Sequence, residues 1–142
     1  MNEDTNAIIY QYLIDQDTLT DIVGTRIYNP ALPENVILPA ISFLTIGGLD
    51  DEYIPGLLGP SIQFDCWAKN EVGLLGPKGA RKVYRALHAV LQGKQNKIVS
   101  VGGTNYKIKS SRIEVSGQDM QDVEVPTMFR VRTSFAFIID AE

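Results

Sequence analysis

The residues able to do chemistry fall into four groups, and the first is a lone thiol and a lone imidazole. Cys66 and His88 are the single cysteine and single histidine of the chain. Together they offer one nucleophilic route, a thiolate with an imidazole as its base. Cys66 stands in Ile62-Gln63-Phe64-Asp65-Cys66-Trp67-Ala68, where alternation puts it between Phe64 and Ala68 on the apolar side. Free cysteine in such a place packs as a small hydrophobe. His88 follows Tyr84 by four residues, which sets it on the flank of a helical apolar stripe as a half-covered boundary histidine. The second group is Gly73, Gly76 and Gly79 in GLLGPKGA. A phosphate loop needs four residues between its glycines and then Gly-Lys-Ser/Thr, and a dinucleotide loop needs Gly-x-Gly-x-x-Gly. Neither spacing is met, so these glycines read as a flexible entry into a helix.

The third group is Asp50, Asp51 and Glu52. Contiguous acids lack the alternating ligand positions and the glycine turn of a calcium loop, so a solvated acidic tip is expected and no metal. The fourth group is Lys78, Arg81, Lys82 and Arg85. Their i, i+3 and i+4 spacing stacks all four cations on one helix face. No acid within that helix offsets them, at a cost of a few tenths of a kcal/mol per like-charge pair. A solvated surface and an electrostatic contact with an acidic neighbour or nucleic acid both fit this pattern. In an otherwise acidic chain, patches of opposite sign suit contact between copies. The candidate interface residues are therefore Lys78, Arg81, Lys82, Arg85, Asp50, Asp51 and Glu52.

Composition narrows the classes further. The chain has 142 residues, 13 Lys+Arg against 17 Asp+Glu, 44% apolar and 21% charged residues. These values match an ordinary globular domain, and the length fits one domain spanning 1–142. One cysteine excludes an intramolecular disulfide and a thiolate metal cage, and one histidine excludes a His-His metal motif. A net charge of −4 and a pI near 5.0 argue against a dedicated nucleic-acid binder. No run approaches the ~18 apolar residues of a membrane span. The acidic, polar start Met1-Asn2-Glu3-Asp4 is unlike a signal peptide, so residence in the cytoplasm is expected. No motif calls for a cofactor.

The elements that must position these groups follow from periodicity. Residues 3–16 predict an amphipathic helix with Ile8, Ile9, Tyr12 and Leu13 inward. A short helix follows, with Asp17 as N-cap, Leu19, Ile22 and Val23 inward and Gly24 as its stop. Residues 26–39 are punctuated by proline and read as extended. Ala40–Ile46 reads as a strand closed by Gly47-Gly48, residues 49–59 as an irregular acidic loop, and Ser61–Ala68 as a strand. Gly76 and Pro77 open a long helix with Ala80, Val83, Tyr84, Leu87, Val90 and Leu91 buried, ended by Gly93. Ile98–Val101 and Asn105–Ile108 flank Gly102-Gly103, a hairpin turn signal. Arg112–Val115 reads as a strand, 117–126 as a polar loop, and Met128–Ile139 alternates as the closing strand. The order α-α-β-β-α-β-β-β-β predicts an α+β fold, a mostly antiparallel sheet with two main helices on one face.

Several of these segments, in this order, resemble the tail-completion proteins of long-tailed bacteriophages and prophages. They are Asp17-x-Leu19-x-x-Ile22-Val23-Gly24-x-Arg26-Ile27-Tyr28, the stretch ending Leu38-Pro39-Ala40-Ile41, the strand Ile62–Ala68, the helix through Val83, Ala86, Leu87 and Leu91 to Gly93, and Arg130-x-Arg132-x-Ser134-Phe135-x-Phe137. The resemblance covers nearly the whole chain. It implies a non-enzymatic subunit whose copies form a hexameric ring at the head-proximal end of the tail tube. Such a ring would bind the tail tube protein and the head–tail connector, or stopper, with DNA at most passing through its lumen. The protein would then sit in the host cytoplasm during assembly and in the virion afterwards. A neighbouring stopper or adaptor of the phage neck, and a small enzyme using Cys66 with His88, are the alternatives.

Overall fold

The computed structural model describes residues 5–50, 57–70, 76–121 and 128–140. Helix α1, Thr5–Ile14, buries Ile8, Ile9, Tyr12 and Leu13, as their spacing requires. Helix α2, Asp17–Val23, differs from expectation at its start. Gln16, not Asp17, occupies the N-cap position and makes no side-chain cap. The Gln16 Nε2 instead donates to the Tyr12 carbonyl at 3.1 Å, so it closes α1. Asp17 lies within the first turn of α2, where its charge faces the positive end of the helix dipole. The chain then turns at Gly24 into a two-residue strand β1, Ile27–Tyr28, within the stretch expected only to be extended.

Strands β2, Ala40–Asp50, and β3, Leu57–Lys69, form a long hairpin. Helix α3 runs Gly76–Leu91, and β4 Lys94–Val101, β5 Thr104–Gln121 and β6 Met128–Asp140 complete the sheet. The strand order is β1-β2-β3-β6-β5-β4. β1 and β2 are parallel, whereas every other pairing is antiparallel. The fold is α+β, with a mixed, curled sheet where a mostly antiparallel one was expected, and the three helices stand at the expected places, two longer and one short. The helices cover one face, packing over an aromatic layer in which Phe64 meets Phe43, Phe135 and Phe137 at centroid distances of 5.8, 6.0 and 6.4 Å. Curling lets α1 reach the β2 side through Asn6, whose Oδ1 accepts from Thr45 Oγ1 at 2.7 Å, while α1 also packs on the edge strand β4. The Tyr12 hydroxyl donates to the Val90 carbonyl at the end of α3, 2.6 Å away.

Two expected loops are strand instead. Gly47 and Gly48 do not end β2; the strand shifts register between Thr45 and Gly47 and continues to Asp50, opposite Leu58. A Cβ on Gly48 would lie 2.2 Å from the Gly59 carbonyl oxygen, and its φ is +122°. Glycine is needed there because the two backbones touch. Of the acidic loop expected over 49–59, residues 49–50 and 57–59 are therefore strand, and 51–56 lie outside the described residues. Likewise Arg112–Val115 and the start of the polar loop belong to the single 18-residue strand β5. Register shifts at Ile108/Ser110, Ile113/Val115 and Val115/Gln118 interrupt its alternation, since each bulge moves the following side chains to the other face. The Gly102-Gly103 hairpin is present, with φ of +59° and +82°.

Candidate assembly surface

Helix α3 buries Ala80, Val83, Tyr84, Leu87, Val90 and Leu91 against the sheet. An apolar stripe so placed leaves Lys78, Lys82 and Arg85 on the opposite face, where all three are exposed. Among the described residues no acid lies within ion-pair distance of these three. With Pro77 and Arg81 they line an open groove of ≈ 590 Å³.

Arg81 leaves this set. One of its terminal nitrogens donates to the Gly117 carbonyl at 3.3 Å and lies 3.6 Å from Asp119 Oδ1. Its guanidinium also sits 4.9 Å from the Tyr84 ring centroid. The Tyr84 hydroxyl in turn accepts from the Gly117 N–H at 3.1 Å. Arg81 and Tyr84 therefore grip β5 at a glycine, and a Cβ on Gly117 would fall 2.9 Å from each and 2.6 Å from Val131 Cγ1. Among the described residues the four-cation stripe is thus three exposed cations without an ion pair and one clamp. Its partners were hidden because Gly117 and Asp119 fall in the segment expected to be loop.

Of the acidic half of the candidate interface, Asp50 is the last residue of β2. Its side chain, Asp51 and Glu52 lie outside the described residues, as does Gly73. Gly76 and Gly79 are buried in the first turn of α3. The described exposed acids on the helical layer are instead Asp15, Asp17 and Asp21, at and beyond the α1–α2 corner. Asp15 accepts from Gln11 Nε2 at 2.9 Å.

Cys66 is fully buried. Burial pushes its thiol pKa far up, and the carboxylate of Asp65 adds to the rise, opposite to what a nucleophile needs. His88 is half-buried, its ring edge-on to Tyr84 and Phe135. Both match their expected packing roles. Among the described residues no cluster of His, Cys, Asp and Glu could hold a metal ion, and no helix is long and apolar enough to cross a membrane.

A second charged cluster was missed altogether. On the sheet face away from the helices, β3 pairs Asp65 with Arg132 and Trp67 with Arg130 on β6. Arg132 Nε donates to Asp65 Oδ1 at 3.0 Å, Arg130 NH1 lies 3.8 Å from Asp65 Oδ2, and the Arg130 guanidinium stacks 5.0 Å from the Trp67 ring centroid. Trp67 Nε1 donates to Ser42 Oγ at 2.9 Å. The proline-punctuated segment folds back over this end of the sheet: Leu38 and Ala40 pack on Trp67, joined by Tyr28, Leu32, Val36 and Met128. Asp65 is left only 6% exposed. Alternation alone placed Asp65, Trp67, Arg130 and Arg132 on outward positions; their meeting depends on the β3–β6 register.

No protein-family model matches the chain, and no curated protein matches it significantly.

Proposed function

We propose that the chain is a virion-assembly subunit of the tail-completion kind. Copies close into a hexameric ring on the head-proximal end of a phage tail tube, stop its growth and join the tail to the head. The observation that carries this reading is the exposed row Lys78, Lys82 and Arg85, which meets no acid among the described residues, on a chain of net charge −4. That row is a protein-contact surface rather than part of a catalytic constellation. The order of segments shared with tail-completion proteins supports the same reading.

The mechanism needs no active site. A tube grows because each ring presents a face on which the next can add, so an open stack has no intrinsic end. A terminating ring binds the tube protein through one face and offers the other to the head–tail connector, and the two surfaces must be unlike. DNA passes through the lumen without being read.

Electron microscopy of a lysate from phage lacking this gene tests the proposal. Full heads and unjoined tails are expected, some tails exceeding normal length, with purified protein restoring infectivity to the extract. Normal-length tails on full heads would overturn it, and empty heads with no tails would move the role to an earlier step. Pull-downs against tube and portal proteins separate a tail-completion ring, which holds the tube, from a stopper or adaptor, which holds the portal side.

A further inference from the structure

The helical layer carries a second charged row besides the basic one. Asp17 and Asp21 stand at i and i+4 on α2, both exposed, and among the described residues neither has a cation within ion-pair distance. α2 packs directly on α3, so both rows belong to one surface layer but to different helices. One member of each row is poorly placed within its own chain. Lys78 sits in the first turn of α3, at the positive end of that helix dipole, and Asp21 sits in the last turn of α2, at the negative end. Lys78–Lys82 and Asp17–Asp21 are also like-charge i, i+4 pairs, which repel. Nothing described inside the chain relieves either.

The rows match each other in pitch. Residues four apart on a helix are separated by about 5–6 Å, and those three apart by a similar distance. Two helices packed side by side, with axes about 8–10 Å apart, therefore set two carboxylates opposite two of the three cations without rearranging the backbone. We propose that the acidic partner of the α3 basic face is a second copy of this chain, docked through Asp17 and Asp21 of its α2.

This inference rests on the ring-forming reading above and identifies the two surfaces that meet. In the ring of that reading the contact is head-to-tail rather than a reciprocal pairing of two copies. Every subunit uses its basic row toward one neighbour and its acidic row toward the other, which propagates around a rotation axis until it closes.

The test uses the full-length chain and two charge-reversed forms, Lys82→Glu with Arg85→Glu, and Asp17→Lys with Asp21→Lys. Folding of each is checked by circular dichroism, and assembly by mass photometry and light scattering across a concentration series. Because lysine at position 17 opposes the α2 dipole, Asp17→Asn with Asp21→Asn serves as a gentler second form. Each reversed form alone should need at least about tenfold more protein to assemble, equivalent to about 1.4 kcal/mol per contact. The two reversed forms mixed in equal amounts should recover wild-type assembly, since an alternating ring pairs opposite signs at every contact. Recovery as a species of dimer mass would overturn the head-to-tail geometry.

Failure of the mixture to recover, with both forms folded, would show that the two rows do not meet. Rings indifferent to either reversal would overturn this contact while leaving the ring itself standing. A wild-type chain that stays monomeric at every concentration, alone and with tube protein, would overturn both. Loss of binding to a short DNA duplex by the basic-row form, with assembly unchanged, would assign the basic row to nucleic acid and overturn the proposal.

Discussion

Arginines do opposite work on the two faces of this molecule. On the far face of the sheet, Arg130 and Arg132 converge on one carboxylate, Asp65, under a cover of Trp67, Leu38 and the folded-back proline segment. On the helical layer, Lys78, Lys82 and Arg85 point to solvent with no described counter-charge. In the first cluster Asp65 has given up its water while the two arginines keep part of theirs, and the attraction is directed inward to hold a strand pair and a surface segment in place. The second keeps its hydration and is free to meet something else. A buried ion pair is weak support for stability until one partner is removed, and then the uncompensated charge becomes costly. An exposed charge is the reverse: cheap to remove, and informative only through what it binds.

Breaking the buried cluster should give the largest effect. Asp65→Ala strips the shared counter-charge from two half-buried guanidiniums and opens a space beside Trp67. A loss of about 3 kcal/mol is expected, read as a lowered urea midpoint. The near-ultraviolet signal of Trp67 should change as well, because Arg130 no longer has its anchor over the ring. An unchanged midpoint would mean that the two arginines reach water easily, and the contrast between the faces would collapse.

Gly117 tests the clamp that joins the two regimes. Gly117→Ala drives a methyl group into Val131, Tyr84 and Arg81, which overpacks the α3–β5 seam by about 1–3 kcal/mol. Arg81→Gln, by contrast, removes an ion pair whose side chains are 42% and 71% exposed, and a loss below about 1 kcal/mol is expected. The ratio of the two in thermal melts shows whether the seam is held by close approach or by charge.

The difference between the faces also explains which parts were legible in the sequence. The α3 stripe, the β3 and β6 alternation, the Gly102-Gly103 turn and the burial of Cys66 are local patterns, and each is present. Apart from the α2 cap, which falls on Gln16 rather than Asp17, what differs is whatever depends on pairing. β5 reads as two strands and a loop because its bulges reset the alternation, and β1 is invisible because two residues carry no period. The Asp65 cluster needs the β3–β6 register and the return of residues 28–38. Arg81 looked like one of four equal cations because its partners lie 36 and 38 residues away on a strand read as loop. The basic row is legible because a helix fixes its own spacing; the sequence expects complementary acids at 50–52, whereas the described exposed acids of the helical layer are Asp15, just past α1, and Asp17 and Asp21 on α2.

Alkaline pH probes burial directly. Cys66 is held neutral in the folded chain, its pKa raised from 9.0 by burial and by Asp65, and burial raises that of Tyr12 from 10.0. A raised folded pKa means that the unfolded chain loses its proton first, so this stabilisation is complete below pH 9 and fades as pH climbs. One pH unit above the unfolded thiol value the loss from Cys66 alone is roughly 1.4 kcal/mol. Cys66→Ala should be less stable at pH 7, because it leaves a small cavity, yet show a flatter stability profile between pH 8 and 10. An equally steep profile would assign the alkaline loss to Tyr12.

The smallest effect is expected where the functional claim is strongest. Lys82→Ala with Arg85→Ala removes two exposed cations that touch no described acid, and it relieves repulsion along α3. Alanine is also the best helix former, so stability should change by no more than about 0.5 kcal/mol and can rise. A residue whose loss leaves the fold untouched is kept for another reason or for none, and assembly decides between these. Unchanged melting with weakened self-association, more so at low salt than at high, marks the row as a contact surface, because screening already dulls the wild-type attraction at high salt. Unchanged melting together with unchanged association at every salt concentration would make the row an ordinary solvated surface. A loss of several degrees in melting temperature would instead show that Lys82 and Arg85 hold the fold as Arg130 and Arg132 do, and the two faces would no longer differ in kind.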